Sequence, residues 1–275
     1  MTSVTIISPH LDDAVFSCGM VIADSPGTHV ITIFAGAPPP DTPAPAWDRD
    51  AGFASARQAV EARREEDRRA LAVLGAEAIW LDYWDGQYGR HYRPADIASG
   101  IRRVLRIQSD GLVLAPLGLF HPDHVLVHEA CRLLMEEMRE MRETQEIRDS
   151  AVTGLAGEPA LLQPPHYGMD DPRDHGAGRL HWLFYEDAIH RCVPGIVQER
   201  LGECRAAGLV ATPVKPPLST FLPSRRLIAR KAEAVNTYLS QLPLFNDAQL
   251  GDLCAPERFW LLAPLGETRP SASPL

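Results

Sequence analysis

Ser8-Pro9-His10-Leu11-Asp12-Asp13 follows directly on Val4-Thr5-Ile6-Ile7, an apolar, β-branched run with the length and composition of a buried strand. A second polar cluster, His121-Pro122-Asp123-His124, stands in the same relation to Gly111-Leu112-Val113-Leu114-Ala115-Pro116. Each cluster closes a strand and opens a helical segment, and ligands of open α/β sheets bind beyond the carboxyl ends of the strands. Further signals alternate through the first half of the chain: strands at residues 29–34 and 78–81, helices at 55–74 and 95–107. A third helix, at 123–142, is rich in Leu, Met, Glu and Arg. This order predicts an α/β fold, a Rossmann-like and mostly parallel sheet with helices on both faces. No G-x-G-x-x-G follows the first strand, so the sheet by itself does not imply a dinucleotide.

The residue types of the two clusters suit a divalent metal. Two imidazoles and one carboxylate form a three-ligand set that leaves a position open, the pattern of catalytic rather than structural zinc. His10, Asp13 and His124 are assigned as those ligands. His10 and Asp13 lie three residues apart, so one turn aims both inward, while Asp12 between them is free to act as a base. Zinc lowers the pKa of a bound water to roughly 7, which brings its proton within reach of a carboxylate. His121 then steadies the oxyanion as an imidazolium, its pKa raised by Asp123 or another carboxylate. Taken singly, either cluster could be a cap or a turn. Two of them in equivalent places point to one shared site.

Composition frames this reading. The chain has 275 residues, 45% of them apolar, enough for one sizeable core, and a single domain over residues 1–275 is expected, with elaborations after about residue 144. A net charge of −9 argues against nucleic acid as a partner, since phosphate binding rests on Lys and Arg. Five cysteines without C-x-x-C spacing fit a reducing cytoplasm, and Cys18 reads as a small buried residue rather than a ligand. No apolar run approaches the ~18 residues of a membrane span.

With these residues in place, the chain resembles the zinc-dependent de-N-acetylases of the LmbE-like or PIG-L type, which carry [AS]-H-x-D-D near the N-terminus and H-P-D-H further on. The likeness continues through Arg63-Arg64-Glu65-Glu66-Asp67, Ala70-Leu71-Ala72-Val73-Leu74-Gly75 and Asp85-Gly86, and runs from about Val4 to His128. It implies zinc on His10, Asp13 and His124, with Fe2+ or Co2+ able to use the same ligands, Asp12 as base and His121 at the oxyanion. It also implies that Arg63 and Asp85 contact sugar hydroxyls, although Arg63 could instead pair with Glu66 or Asp67 on an exposed helix face. Ala14 stands where glutamate is common in the family, and Leu119 where some members have a tyrosine that assists proton transfer. The form Pro-His-Leu-Asp-Asp-Ala is similar to bacterial secondary-metabolism and glycopeptide-type sugar deacetylases.

The expected activity is removal of an acetyl or other small acyl group from an amino sugar or sugar-containing metabolite, a small-molecule partner. A thiol-conjugate amidase and a non-catalytic sugar- or nucleotide-binding module stay open as alternatives. Residues 38–50, Pro-rich and containing Trp47, read either as a substrate wall or as a rigid connection. Residues 144–179 read as an irregular loop, with His166, Asp170, Asp171, Asp174 and His175 too poorly spaced for a second metal site. A strand at 180–185 ends on Glu186-Asp187, and Tyr185 and Glu186 are candidates there for proton delivery or substrate contact, or else for core packing by the aromatic and a cap by the acid. Arg225, Arg226, Arg230 and Lys231, in a helix at about 224–239, read as a solvated face.

Overall fold

The computed structural model describes residues 3–105, 111–155, 181–215 and 224–266. Its strands in chain order are β1 (Val4–Ser8), β2 (His29–Thr32), β3 (Glu77–Trp80), β4 (Leu112–Pro116), β5 (His181–Tyr185), β6 (Leu209–Val214) and β7 (Phe259–Pro264). The helices are α1 (Asp13–Asp24), α2 (Ala46–Asp50), α3 (Ala56–Leu74), α4 (Pro94–Val104), α5 (Pro122–Leu155), α6 (Ile196–Ala206), α7 (Arg225–Val235) and α8 (Asp247–Leu253). All seven strands form one sheet in the order β3-β2-β1-β4-β5-β7-β6. The first five are parallel, and β7 and β6 finish the sheet antiparallel.

Side-chain alternation explains why the sheet is covered on both faces. Ile6, Leu112, Leu114, Leu183 and Tyr185 pack into one core with α1, α3 and α7. Ile7, Val113, Ala115, Trp182 and Phe184 pack into the other with α4, α5 and α6. A strand buried on both faces reads as a continuous apolar run rather than an alternating one, which is how β1 and β4 appear in the sequence. Strand order reverses between β1 and β4, and this switch point opens a crevice at their carboxyl ends.

Helix α3 falls where the sequence places it. Ser55 accepts from Gln58 N at its start, and Gly75, left-handed at φ +76°, closes it while Ala76 N bonds back to Leu71 O. Helix α1 breaks at Cys18 (φ −132°), and the freed Met20 and Val21 N–H groups donate to the Glu257 carboxylate at 2.8 and 3.3 Å. Cys18 is fully buried, as expected.

Two expectations change. The third helix does not end near residue 142 but runs to Leu155. Met141 and Ile147 in its distal half are exposed, yet this stretch is rich in good helix formers and carries the Arg139–Glu136 and Arg139–Glu143 pairs at helical spacing. The five His and Asp residues between 166 and 175 lie outside the described residues. Nor is α7 wholly solvated: Arg230 donates to Ala23 O and Val73 O, and buried Lys231 pairs with Glu257 at 2.9 Å. Strands β6 and β7 and helices α6 and α8 are additions to what the sequence suggested.

Candidate metal centre

The turn after β1 and the turn after β4 meet at the switch point. His10 Nδ1, His124 Nε2 and Asp13 Oδ2 form a triangle with edges of 3.2, 3.1 and 3.2 Å. A tetrahedral shell with ligand atoms about 2.0–2.1 Å from its ion spaces neighbouring ligands roughly 3.3 Å apart, so this triangle has the dimensions of one face of such a shell. At most one proton fits between the two facing nitrogens, whereas one dication satisfies all three donors. A divalent metal therefore fits these residues.

Each histidine of the triangle is backed by a carboxylate. His124 Nδ1 lies 2.7 Å from Asp187 Oδ1, and the other Asp187 oxygen accepts Gly118 N and Leu119 N at 2.9 and 3.0 Å. His10 Nε2 lies 3.2 Å from Asp123 Oδ2, with Asp85 Oδ2 at 3.8 Å. Carboxylates placed so fix the ring orientation and raise its basicity toward a metal. Burial opposes charge on both rings, but Asp123 and Asp13 hold the pKa of His10 well above its usual value, and Asp13 and Asp187 lift that of His124 to about 9. Asp13 is held well below the carboxylate range, its own burial outweighed by His124 and His10.

The backbone is shaped to permit these contacts. Gly118 has φ +81°, and a Cβ there would lie 2.8 Å from His128 Cβ. Gly86 passes so close to Asp123 that a Cβ would meet Oδ1 at 2.8 Å, and its N–H donates to Oδ2 at 2.9 Å. Phe120 and Ile189 hold positive φ of 61° and 63°, uncommon for any side chain and strained for a β-branched one. Strain of this kind costs about 1–3 kcal/mol and clusters at functional sites.

Asp12 lines the same cavity, and among the described residues no hydrogen bond reaches its carboxylate. Burial, then the neighbouring Asp13 charge, pushes its pKa up to about 7. His121 departs from expectation. Asp123 turns to His10 rather than to His121, and burial together with His10 and His124 lowers the His121 pKa to about 4. His121 is therefore not an imidazolium near neutrality. Its Nδ1 accepts the Asp123 backbone N–H at 3.2 Å, which leaves Nε2 to carry the hydrogen and makes the neutral ring a directed donor. Asp123 is itself lowered to about 2, its burial outweighed by the His10 contacts.

The cavity encloses about 340 Å3 and is also lined by Arg63, Asp85, Trp47, Tyr88, Phe245 and His190. Arg63 pairs with neither Glu66 nor Asp67. Its Nη2 meets the fully buried Asp48 at 2.6 Å, Tyr88 donates to the same carboxylate at 2.9 Å, and Arg63 Nε is buried without a partner. Residues 38–50 thus contribute a wall, through Trp47, and a buried anchor, through Asp48. Asp85 caps the short 3-10 turn Gly86–Tyr88 by accepting Gln87 N at 2.9 Å. Tyr185 and Glu186 do not line the cavity: Tyr185 OH donates to Ile7 O and Glu186 accepts from Trp260 Nε1, both inside the fold. The next residues matter instead, since Asp187 and His190 come from the same strand end. Sequence reading came within one residue of Asp187 and had no signal for His190.

Sheet order and donor set together define a Rossmann-like α/β protein with, at its switch point, a His/Asp cluster that could hold a divalent metal. Residues 5–135 match the family model described as PIG-L: GlcNAc-PI de-N-acetylase. A solved deacetylase triple mutant of the teicoplanin biosynthetic pathway is 24% identical, covers 97% of this chain and all of its own, and superposes with a TM-score of 0.66. The A40926 pseudoaglycone deacetylase is 23% identical, with the same TM-score, covering 97% of this chain and 99% of its own. GalB, the 4-carboxy-2-hydroxymuconate hydratase of Pseudomonas putida KT2440, is 18% identical over the full length of both chains, with a TM-score of 0.52. These identities speak to the fold, and the fold carries more than one chemistry. No curated protein sequence matches the chain. Among the described residues no helix is long and apolar enough to cross a membrane.

Proposed function

We propose that the protein is a zinc-dependent N-deacetylase that releases acetate and a free amine from an N-acetylated amino sugar or sugar-containing metabolite of the secondary-metabolism type, with residues 1–275 working as one domain. The observation that carries this reading is the 3.1–3.2 Å donor triangle with the unpartnered Asp12 carboxylate beside it in one cavity. His10, Asp13 and His124 would hold the ion. Zn2+ suits this N2O donor set, and Fe2+ or Co2+ could use it too. Once bound, such an ion supplies Lewis acidity to a carbonyl and acidity to water.

The chain's own groups do the rest. Asp12, ionised above about pH 7 and lower still beside a cation, takes a proton from the attacking water as the new C–O bond forms. His121 donates its Nε2 hydrogen to the oxygen that gains charge. As the C–N bond breaks, Asp12 passes the proton to the departing nitrogen. The products are a carboxylic acid, which ionises, and an amine, with Asp12 restored as a carboxylate. Asp123 orients His10 rather than taking part in proton transfer. Arg63, anchored by Asp48, and Asp85 would meet the hydroxyls of the sugar. A cavity of about 340 Å3 lies within the range of small-molecule sites. Five free thiols support a reducing, cytoplasmic setting.

The test is acetate and amine release from a panel of N-acetylglucosaminides by metal-stripped protein with and without added zinc. Zinc-restored release, lost in Asp12→Ala protein that still binds zinc, is expected. Stoichiometric metal without release from any member of the panel would overturn the sugar reading and direct attention to larger acyl donors or thiol conjugates.

A further inference from the structure

His190 stands apart from the other imidazoles around the centre. His10 and His124 engage both ring nitrogens and His121 engages one, whereas no hydrogen bond among the described residues reaches either ring nitrogen of His190. The ring is half-buried and lines the cavity. It meets His124 edge-on at 4.7 Å between centroids, lies 6.0 Å from His121, and stacks on Phe120 at 5.7 Å. A half-buried ring on the cavity wall whose nitrogens are not engaged by any of the described residues can present a hydrogen-bonding edge to a molecule that enters the cavity.

The backbone that carries His190 is held firmly. Ile189, in the left-handed region at φ +63°, donates its N–H to Asp252 Oδ2 at 2.8 Å. Arg191 Nε meets Asp252 Oδ1 at 2.8 Å, and Arg191 Nη2 reaches the Asp252 carbonyl at 3.1 Å. One residue earlier, Ala188 N donates to Ser17 Oγ at 3.0 Å. Ala188 and Ile189 before His190 and Arg191 after it are therefore tied to α1 and α8, and the side chain between these ties is directed into the cavity. This is the support expected of a group that must meet its target within a fraction of an ångström.

We propose that His190 is a second substrate-binding imidazole of the centre, donating a ring N–H hydrogen bond to the oxygen of the acyl group beside His121, with Asp252 and Arg191 as its positioning residues. This rests on the amide-hydrolysis reading above. A donor to an oxygen that gains charge acts more on the transition state than on the bound substrate, so its loss should lower kcat more than it raises KM.

The experiment compares zinc-loaded wild type with His190→Phe, which keeps the flat ring and its stacking on Phe120, and His190→Gln, which restores an N–H donor. The expected result for His190→Phe is a kcat reduced by about 100-fold with KM changed by less than about three-fold, the scale of removing one oxyanion donor. Part of that loss should return in His190→Gln. Asp252→Asn should lower kcat in the wild-type background and add little in the His190→Phe background, because both act through one group. A His190→Phe protein with kcat/KM within two-fold of wild type overturns the proposal. Should wild type release no acetate, the hydrolysis reading fails separately, and binding of acetate to the Co2+-loaded proteins, followed by the visible cobalt spectrum, decides about His190. Acetate bound at least ten-fold more weakly by His190→Phe supports it, and equal affinity overturns it.

Discussion

Replacing Asp187 by asparagine should weaken metal binding without touching a ligand. One Asp187 oxygen faces His124 Nδ1 at 2.7 Å and the other accepts Gly118 N and Leu119 N, so a residue that is 1% exposed serves three donors. An amide cannot meet all of them. With its NH2 toward the two backbone N–H groups, donor opposes donor and two buried hydrogen bonds are lost. With its NH2 toward His124, Nδ1 must become the acceptor, and the ring hydrogen moves to Nε2, the nitrogen that points at the metal position. Loss of such an outer carboxylate typically costs 10–100-fold in metal affinity, or about 1.4–2.7 kcal/mol. A buried donor left unpaired costs a further 1–3 kcal/mol, roughly, of folding stability. Competition against a chelating chromophore reads the first quantity, and urea unfolding of metal-free protein reads the second. Asp187→Asn protein that binds zinc within two-fold of wild type would show that the orientation of His124 does not depend on this contact.

Two further outcomes are expected. Burial pushes the Asp67 carboxyl up to about 7 against the hydrogen bonds from Trp80 and Tyr238. Because this lies above the unfolded value of ~3.9, the contribution of the neutral form is fully present below about pH 4 and is lost as pH rises through about 7, an amount of up to about 4 kcal/mol. Asp67→Asn cannot ionise, so its unfolding free energy relative to wild type should improve between pH 5 and pH 8, and a gap independent of pH would contradict the assignment. Asp48→Ala removes the fully buried partner of Arg63 and Tyr88. Stranding a buried guanidinium should cost about 3–5 kcal/mol in urea unfolding and raise KM, whereas a loss below about 1 kcal/mol would mean that solvent reaches Arg63 freely.

The parts of the site that were legible in the sequence are those for which a strand end fixes position. His10, Asp12 and Asp13 follow the end of β1 and His121 and His124 follow the end of β4, at the start of α5, and adjacency of those strands brings the clusters together. What was not legible depends on where a side chain turns after the strand. Asp123 was expected to serve His121 and instead reaches His10, 113 residues away. Arg63 had acidic neighbours at helical spacing and chose Asp48, from a Pro-rich stretch with no periodic signal. Past β5 the inward and outward alternation sends Tyr185 into the core, and Asp187 rather than Glu186 reaches the centre. The antiparallel end of the sheet was less legible because β6 and β7, although six residues each, both contain a proline, Pro213 and Pro264.

The placement of Asp187 and His190 on the far side of β5 has a bearing on how the protein is made. His10, Asp13 and His124 all precede residue 125, yet the carboxylate that sets the tautomer of His124 follows it by 63 positions. A ribosome thus exposes the proposed ligand set well before the strand that disciplines it, and a metal met at that stage would find rings free to rotate. Docking of β5 against β4 brings Asp187 to His124, so on the proposed reading loading with an ion would belong to the end of folding. Contacts that span so much chain are also slow to form. Any shortened version of the protein that stops at the end of the family-matching region, residue 135, would keep the three proposed ligands and lose the Asp187 contact that fixes His124.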